Sequence, residues 1–164
     1  MNYFNILRKK IISKEATICV VGLGYVGSEL IKTFSKKGFK SIGIDINLKQ
    51  IPKKTFSKKI FLTDNYKFIN KADIIILALP TPLNKNLEPD LSFINNCMKK
   101  MTKFLKKGQL ISLESSTYPG TTEDLIAKKL LNKKFIISES FFLIYSPERI
   151  SPEIKIKKSK RIKY

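Results

Sequence analysis

The sequence predicts an α/β fold in which one doubly wound, mostly parallel sheet forms a single domain. Segments 17–22, 73–79 and 141–145 are apolar runs without period-two alternation, as expected of strands that are buried on both faces. Segments with helical spacing lie between most of the predicted strands, which is the order of β-α-β units with right-handed crossovers. The length of 164 residues is that of one ordinary domain.

Spacing and flanking residues set the bounds of each predicted element. In the first long helix, apolar residues recur on one face, and Gly38 is expected to end the helix. In chain order we predict strands at 17–22, 41–46, 59–62, 73–79, 109–113 and 141–145, and helices at 25–37, from 90 or 92 to about 105, and at 120–131. We divide the chain into a leader at 1–15, in which a short helix is one alternative, a domain at 16–150 and a basic tail at 151–164.

The charge balance is strongly basic, with 32 Lys and Arg against 13 Asp and Glu and a net charge of +19. Such a balance can indicate nucleic-acid binding, but the lysines are spread from end to end. We therefore expect only loose, salt-sensitive association with polyanions and no specific nucleic-acid partner. The longest apolar run, 74–79, is far shorter than the roughly 20 residues of a membrane span. Neither a membrane association nor a secretion signal is predicted, and we expect a cytoplasmic protein.

The metal-binding and nucleophilic residue types are sparse. The chain has no histidine, and its two cysteines, Cys19 and Cys97, belong to no C-x-x-C pair. We therefore predict no metal site and exclude Ser-His-Asp and Cys-His arrangements within these residues. Both cysteines are expected to be buried thiols in a reducing compartment.

The segment Gly22-Leu23-Gly24-Tyr25-Val26-Gly27 directly follows a predicted buried strand and opens an amphipathic helix, which is the context of a dinucleotide-binding loop. Gly22 permits the tight turn, Gly24 lets the backbone approach a pyrophosphate, and Gly27 lets the helix pack closely on the strand. The pyrophosphate would lie on backbone N–H groups at the helix N-terminus, so we assign Tyr25 and Val26 to the same site. The alternative is a glycine-rich turn that holds no ligand.

An acidic residue, Asp45, stands at the end of the second predicted strand. A carboxylate there accepts hydrogen bonds from the adenosine ribose and opposes the extra phosphate of NADP, which predicts a Rossmann domain that uses NAD. The alternative is an aspartate that merely ends a strand in a turn, and Lys49 lies close enough to leave the cofactor preference open.

Further polar residues follow the carboxyl ends of later strands, where parallel sheets bind ligands. Pro80 and Thr81 follow one strand and Thr117 follows another. All three are candidates for the cofactor site, and the hydroxyl groups of Thr81 and Thr117 could contact the dinucleotide. On spacing alone these are equally turn and cap residues. Glu148, after the last strand, is a candidate general base, or a surface carboxylate paired with Arg149.

Taken together, these motifs resemble the N-terminal domain of the UDP-glucose/GDP-mannose dehydrogenase family. The order is G-L-G-Y-V-G, I-D-I, A-L-P-T-P-L-N-K-N-L-E-P-D-L-S, S-L-E-S-S-T-Y-P-G-T-T-E and Y-S-P-E-R-I. The two longest stretches are similar to the branch that oxidises UDP-N-acetyl-hexosamines. The resemblance implies oxidation of C6 of the sugar from alcohol to carboxylate with two NAD and a cysteine thioester. It implies that Thr81 and Thr117 contact the cofactor near the reacting centre and that Glu148 assists the water that hydrolyses the thioester.

The chain also departs from the family pattern. No G-F-G-G-x-C segment with the nucleophilic cysteine is present, and the S-P-E-R-x-x-P-G pattern breaks at Ser151-Pro152-Glu153. Our leading hypothesis is therefore a truncated nucleotide-sugar 6-dehydrogenase that is inactive alone and binds a UDP-sugar only when a C-terminal domain complements it. The alternatives are a non-catalytic dinucleotide-binding module, one half of a split enzyme, or another NAD dehydrogenase such as a hydroxy-acid enzyme. The sequence leaves the oligomeric state open.

Overall fold

The computed structural model describes residues 2–51 and 56–147 and confirms the predicted fold class. A single parallel sheet of six strands carries the order β3-β2-β1-β4-β5-β6. The strands are β1 (Thr17–Val21), β2 (Lys40–Ile44), β3 (Ile60–Thr63), β4 (Ile74–Leu77), β5 (Leu110–Leu113) and β6 (Phe142–Tyr145). The direction of winding reverses between β1 and β4, and a doubly wound sheet forms its ligand crevice at that point.

The central strand β1 is paired on both sides, with Cys19 opposite Ile42 of β2 and Ile75 of β4. Its last four residues are buried, so hydrophobic contact on both faces explains why the apolar run shows no alternation. One core cluster lies on the face that contains Cys19 and Val21, and the other lies on the face that contains Ile18 and Val20. Both faces of the sheet are thus covered, as predicted.

The helices are α1 (Tyr3–Ile12), α2 (Tyr25–Lys36), α3 (Ser92–Met101) and α4 (Lys128–Leu131). Short 3-10 segments occupy Tyr66–Lys71 and Thr102–Phe104, and a π-helical segment, Thr122–Ala127, leads into α4. None of the helices within 2–51 and 56–147 combines the length and the apolar character that crossing a membrane requires.

The end of α2 matches the prediction made from Gly38. Gly38 has a φ of +95°, and the Phe39 N–H donates to the Phe34 carbonyl at 3.1 Å, which is the bond pattern of a glycine-terminated helix. The Phe34 and Phe39 rings pack edge to face with centroids 6.1 Å apart. This contact joins the two sides of the turn and fixes the direction in which the chain enters β2.

The leader contains helix α1, one of the alternatives that the sequence left open. The Asn2 side chain accepts from the Asn5 N–H and caps the helix. Leu7 is buried, and the Lys10 Nζ lies 2.7 Å from an Asp73 carboxylate oxygen at the start of β4. Asp73 also accepts from the Thr17 N–H at 2.9 Å. One carboxylate therefore ties α1 and β1 to β4 at the amino end of the sheet.

Candidate NAD-binding site

A cleft of about 640 Å³ lies at the carboxyl ends of the central strands, where the sequence placed the candidate binding residues. Its walls come from the loops after β1, β2, β4 and β5, together with one side of α3. Seven of the predicted site residues line it, namely Gly22, Gly24, Tyr25, Val26, Asp45, Pro80 and Thr81. The fold thus gathers residues that are far apart in sequence into one crevice.

Different physical constraints act at the three glycines of the loop. Gly22 has a φ of +89°, and a Cβ there would lie 2.5 Å from the Ala78 carbonyl oxygen. A Cβ on Gly27 would lie 1.9 Å from the Gly22 carbonyl oxygen, so only glycine lets α2 pack this closely on the loop. A Cβ on Gly24 would meet no atom within 4 Å. Internal packing therefore requires Gly22 and Gly27, whereas the space beside Gly24 is open to a ligand.

Gly24 is also the N-cap of α2, and no side-chain hydrogen bond caps it. The first N–H groups of a helix lack intrahelical acceptors and carry the positive end of the helix dipole. A pyrophosphate placed over Gly24 would meet those groups with no side chain in the way. The loop fits the central part of a dinucleotide.

Asp45 is held in place by two backbone N–H groups, one of which belongs to the glycine loop. The Leu23 N–H donates to Oδ2 at 2.7 Å, and the Asn47 N–H donates to Oδ1 at 2.7 Å. Each carboxylate oxygen has two acceptor sites, so both can still accept from ribose hydroxyls. The half-buried carboxylate therefore positions the loop as well as facing the cleft, a second role that the strand-end position did not reveal.

Two hydroxyl groups join the loop after β4 to the loop after β5. The Ser115 hydroxyl accepts from the Leu79 N–H at 3.0 Å and donates to the Leu79 carbonyl at 2.7 Å. The Thr81 hydroxyl donates to the Ser116 carbonyl at 2.7 Å. Because its proton is used within the protein, the Thr81 oxygen offers a ligand only acceptor sites. Ser115 is a positioning residue that the sequence analysis did not single out.

Neither of the two predicted catalytic residues is confirmed by the described part of the chain. Thr117 is absent from the cleft lining, and its Oγ1 is buried without a hydrogen-bond partner. The Thr117 backbone N–H donates to the hydroxyl of Tyr145, the last residue of β6, at 3.4 Å. Glu148 lies outside the described residues. The catalytic roles of both residues stay predictions.

The far wall of the cleft contains residues that sequence reasoning missed. Tyr66 and Cys97 face one another across a hydrogen bond, and the Asp45 charge acts on Tyr66. Burial is the main cause that raises the pKa of the Tyr66 phenol above its usual range, and the nearby Cys97 raises it further. Lys100, one helical turn after Cys97 on α3, also lines the cleft and lowers the pKa of that thiol. Helical spacing on α3 was the available signal, but nothing in the sequence placed α3 against the cleft.

Both cysteines are free and buried, as the sequence predicted. Cys19 is fully buried in β1, and burial raises the pKa of its thiol far above its usual range. Cys97 is 3% exposed, and burial raises the pKa of its thiol to about 12 despite the opposing effects of Tyr66 and Lys100. Burial thus favours the neutral thiol at both positions, whereas the thiolate is the nucleophilic form. Across 2–51 and 56–147, no three His, Cys, Asp or Glu residues gather as metal ligands.

Comparison with known proteins places these features in a family. The model of the UDP-glucose/GDP-mannose dehydrogenase family NAD-binding domain matches residues 16–58 and 48–162. UDP-N-acetyl-D-glucosamine 6-dehydrogenase of Pseudomonas aeruginosa is 34% identical over 157 residues, which cover 85% of this chain and 36% of that protein. UDP-N-acetyl-D-mannosamine dehydrogenase of Methanocaldococcus jannaschii is 32% identical, with coverage of 82% and 35%.

Solved structures agree with the sequence comparison. The native structure of the UDP-N-acetyl-mannosamine dehydrogenase Cap5O from Staphylococcus aureus matches with a TM-score of 0.75 at 29% identity, covering 84% of this chain and 38% of that chain. The chain thus spans little more than a third of the length of the relatives it matches. The resemblance that the motifs indicated is confirmed, and the chain belongs to the UDP-glucose/GDP-mannose dehydrogenase family, of which it contains the NAD-binding domain.

Proposed function

We propose that this chain supplies the NAD site for oxidation of the C6 alcohol of a UDP-N-acetyl-hexosamine to a carboxylate. The observation that carries the proposal is the cleft itself. It is lined both by Gly24, beside which the space is open, and by the carboxylate of Asp45. The relatives at 30% identity or more include UDP-N-acetyl-D-glucosamine and UDP-N-acetyl-D-mannosamine dehydrogenases. That pattern supports a nucleotide sugar as substrate, and we propose polysaccharide biosynthesis as the context.

In this proposal the residues of the chain bind and orient the cofactor. Backbone groups at Gly24, Tyr25 and Val26 hold the pyrophosphate, and Asp45 accepts from the adenosine ribose. Thr81 lies toward the β4 and β5 ends, where its oxygen can accept from the other half of the dinucleotide. Bound NAD supplies the hydride acceptor for the sugar C6. Thr117 and Glu148 keep their proposed places near the reacting centre.

We further propose that the thioester nucleophile and the uridine-binding groups come from outside these 164 residues. The sequence contains two cysteines, and both are buried with raised thiol pKa values. A covalent thioester step requires an activated nucleophile, which neither thiol provides. Free buried thiols suit a reducing compartment, and we propose the cytoplasm as the location.

The binding part of the proposal is tested by calorimetric titration of the 164-residue chain with NAD and NADP. Tighter binding of NAD is expected, because the Asp45 carboxylate repels the 2′-phosphate. Equal or tighter binding of NADP would contradict the assignment of Asp45.

The catalytic part is tested by NADH absorbance with UDP-N-acetylglucosamine or UDP-N-acetylmannosamine and excess NAD. The chain alone is expected to form no NADH, since the nucleophile and the substrate anchor each contribute to barrier lowering. Addition of the carboxyl-terminal two thirds of a relative as a separate polypeptide is expected to restore turnover. Ordinary dehydrogenase rates from the chain alone would refute the proposal.

A further inference from the structure

The second core cluster covers only part of its face of the sheet. Among the described residues it takes side chains from β1, β3 and β4 but none from β5 or β6. Leu143 of β6 packs against the first cluster, so its neighbours Phe142 and Ile144 point to the opposite face. Leu110 of β5, which is paired with Phe142, points the same way. Because both faces of a parallel sheet are normally covered, this part of the second face requires a further packing partner.

Helix α1 lies beside these strands and forms the other wall of a groove of about 480 Å³. The rings of Phe4 and Phe142 pack edge to face with centroids 6.0 Å apart. Tyr3 packs against Gly108, where an added Cβ would lie 3.0 Å from the tyrosine ring. These contacts, together with the ion pair at the start of β4, hold the helix against the domain. The groove is therefore formed before any partner binds.

This α1–β6 groove is apolar and open to solvent. Its described lining residues are apolar apart from Arg8 and Ser138. Ile12 on the helix wall is 66% exposed, and Ile144 on the strand wall is 45% exposed. Single exposed apolar side chains are common on protein surfaces, whereas several gathered around one groove indicate an interaction site.

The charges at the groove indicate the chemistry of its occupant. Arg8 lines the groove and has no ion pair within 2–51 and 56–147. A guanidinium group beside apolar residues favours a partner that presents a carboxylate. A second copy of this chain would bring another net charge of +19, which opposes self-association. The groove thus suits an apolar segment that carries acidic side chains and belongs to a different polypeptide region.

The length of the relatives indicates where such a segment comes from. The chain spans 36% of the Pseudomonas aeruginosa relative, so most of that enzyme lies outside the matched region. The described chain ends at Pro147, two residues after β6, and Ile144 of the same strand lines the groove. The part of the enzyme that follows β6 in longer relatives therefore starts close to the groove.

We propose that the α1–β6 groove is the docking site for the carboxyl-terminal part of a UDP-N-acetyl-hexosamine dehydrogenase. The apolar side of a helix fills the groove and a carboxylate pairs with Arg8, since helices are the elements that cover parallel sheets. The identity of the partner rests on the proposed function, in which that part supplies the nucleophile and the uridine-binding groups. The groove shares no described lining residue with the NAD cleft, so docking and NAD binding are measured independently.

The test co-expresses the 164-residue chain with the tagged carboxyl-terminal two thirds of the Pseudomonas aeruginosa relative and measures the dissociation constant of the purified pair by calorimetry. We expect a one-to-one complex. The double variant Ile12→Ser, Ile144→Ser should raise the dissociation constant at least about tenfold, as expected for buried apolar anchors of an interface. Arg8→Glu should weaken binding by at least about the same factor, because it places like charges opposite one another.

Matched controls lie outside the groove. Leu131→Ser changes an apolar residue that is 57% exposed, and Lys133→Glu changes the net charge by the same amount as Arg8→Glu. Both should keep the parent dissociation constant, and every variant should keep the parent affinity for NAD. A benzophenone attached through Ile12→Cys should crosslink to the partner, whereas one attached through Leu131→Cys should not. The native cysteines are buried, and this measurement remains available if a serine variant fails to fold.

The outcomes separate the inference from the proposed function. A parent chain that binds NAD but not the partner overturns the inference alone, as do equal dissociation constants for the parent and the groove variants. Self-association of the chain that is lost in the groove variants would assign the groove to a second copy and would also overturn the inference. A parent chain that binds the partner through the groove but does not bind NAD supports the docking site and refutes the proposed NAD function.

Discussion

Two glycines of the same loop should respond in opposite ways to the same added methyl group. In Gly27→Ala the new Cβ would lie 1.9 Å from the Gly22 carbonyl oxygen and 3.2 Å from Val20 Cγ1. Both the loop and α2 present backbone at this contact, so relief requires moving the helix. In Gly24→Ala the new Cβ meets no atom within 4 Å, and the backbone angles of −65° and −160° are open to alanine.

The magnitudes follow from these contacts. Overpacking costs about 1–3 kcal/mol, and we take the upper end for Gly27→Ala because backbone meets backbone. Alanine regains about 1 kcal/mol of helix propensity, leaving a net loss of about 2 kcal/mol in the free energy of unfolding. At about 2–4 °C per kcal/mol for a chain of this size, Tm should fall by roughly 4–8 °C. Gly24→Ala should keep or slightly raise Tm.

NAD affinity should respond in the opposite way, with the larger loss in Gly24→Ala. The Gly24→Ala methyl group occupies the space through which a pyrophosphate reaches the α2 N-terminus. Loss of one or two charge-assisted hydrogen bonds, at about 1.5–3 kcal/mol each, corresponds to at least about a tenfold rise in Kd for NAD. Gly24→Val, with a bulkier side chain, should abolish binding while the domain still folds.

The assay pairs thermal unfolding by circular dichroism with calorimetric titration of NAD for parent, Gly24→Ala and Gly27→Ala. The expected split is lost affinity with parental Tm in the first variant and a lowered Tm in the second. Wild-type affinity in Gly24→Ala would refute the assignment of the pyrophosphate to this loop. A parental Tm in Gly27→Ala would refute the packing argument.

Further expectations concern four other features. Asp45→Asn should bring the NAD and NADP affinities closer together in titrations, and it should weaken NAD because an amide cannot accept from both the Leu23 and Asn47 N–H groups; an unchanged preference would contradict this. Gln109→Leu removes a buried amide that donates to two carbonyls and accepts from the Lys106 N–H. Urea unfolding should show a loss of about 3 kcal/mol in the free energy of unfolding, while the folded protein keeps its NAD affinity. The free energy of unfolding should fall as pH rises from the ordinary thiol pKa of about 8.5 toward about 12, because in this range the Cys97 thiol ionises only in the unfolded chain. Cys97→Ala should make this fall with pH less steep. An identical pH profile in the variant would argue against burial of the thiol. The net charge of +19 should give DNA binding that is independent of sequence and lost with added salt in mobility-shift assays, whereas salt-resistant binding to one sequence would revive a nucleic-acid function.

The elements with a clear local signal were predicted closely. The predicted strand at 17–22 is observed as Thr17–Val21 and that at 109–113 as Leu110–Leu113, differences that fall within the fraying of element ends. The helix predicted from 90 or 92 begins at Ser92, and the Asp90 carboxylate accepts from the Ser92 N–H at 2.8 Å. Such local bonds depend on residues two or three positions apart, so they can be predicted without knowledge of the fold.

Features that depend on contacts between distant segments could not be predicted in the same way. The sequence left helix α1 as one of two alternatives, because the contacts that hold this helix are with distant segments. Leu7 is buried, and Lys10 forms an ion pair with Asp73. Gln109 looked like an ordinary strand residue, yet it is fully buried and bonds to the carbonyls of Ile69 and Ala72. A buried amide is tolerable only when partners surround it, and those partners lie about forty positions earlier in the chain.

By itself the sequence determined the parallel α/β class, the glycine loop and the carboxylate at Asp45, because each depends on hydrophobic pattern or on a short motif in a defined context. Only the tertiary structure decided that Gly24 faces open space while Gly27 faces the backbone, that Asp45 also holds the Leu23 N–H, and that Glu114 lines the same cleft. The physical reason is that parallel strands bring their carboxyl ends together, whereas the distances between side chains on different strands are set by packing across the sheet.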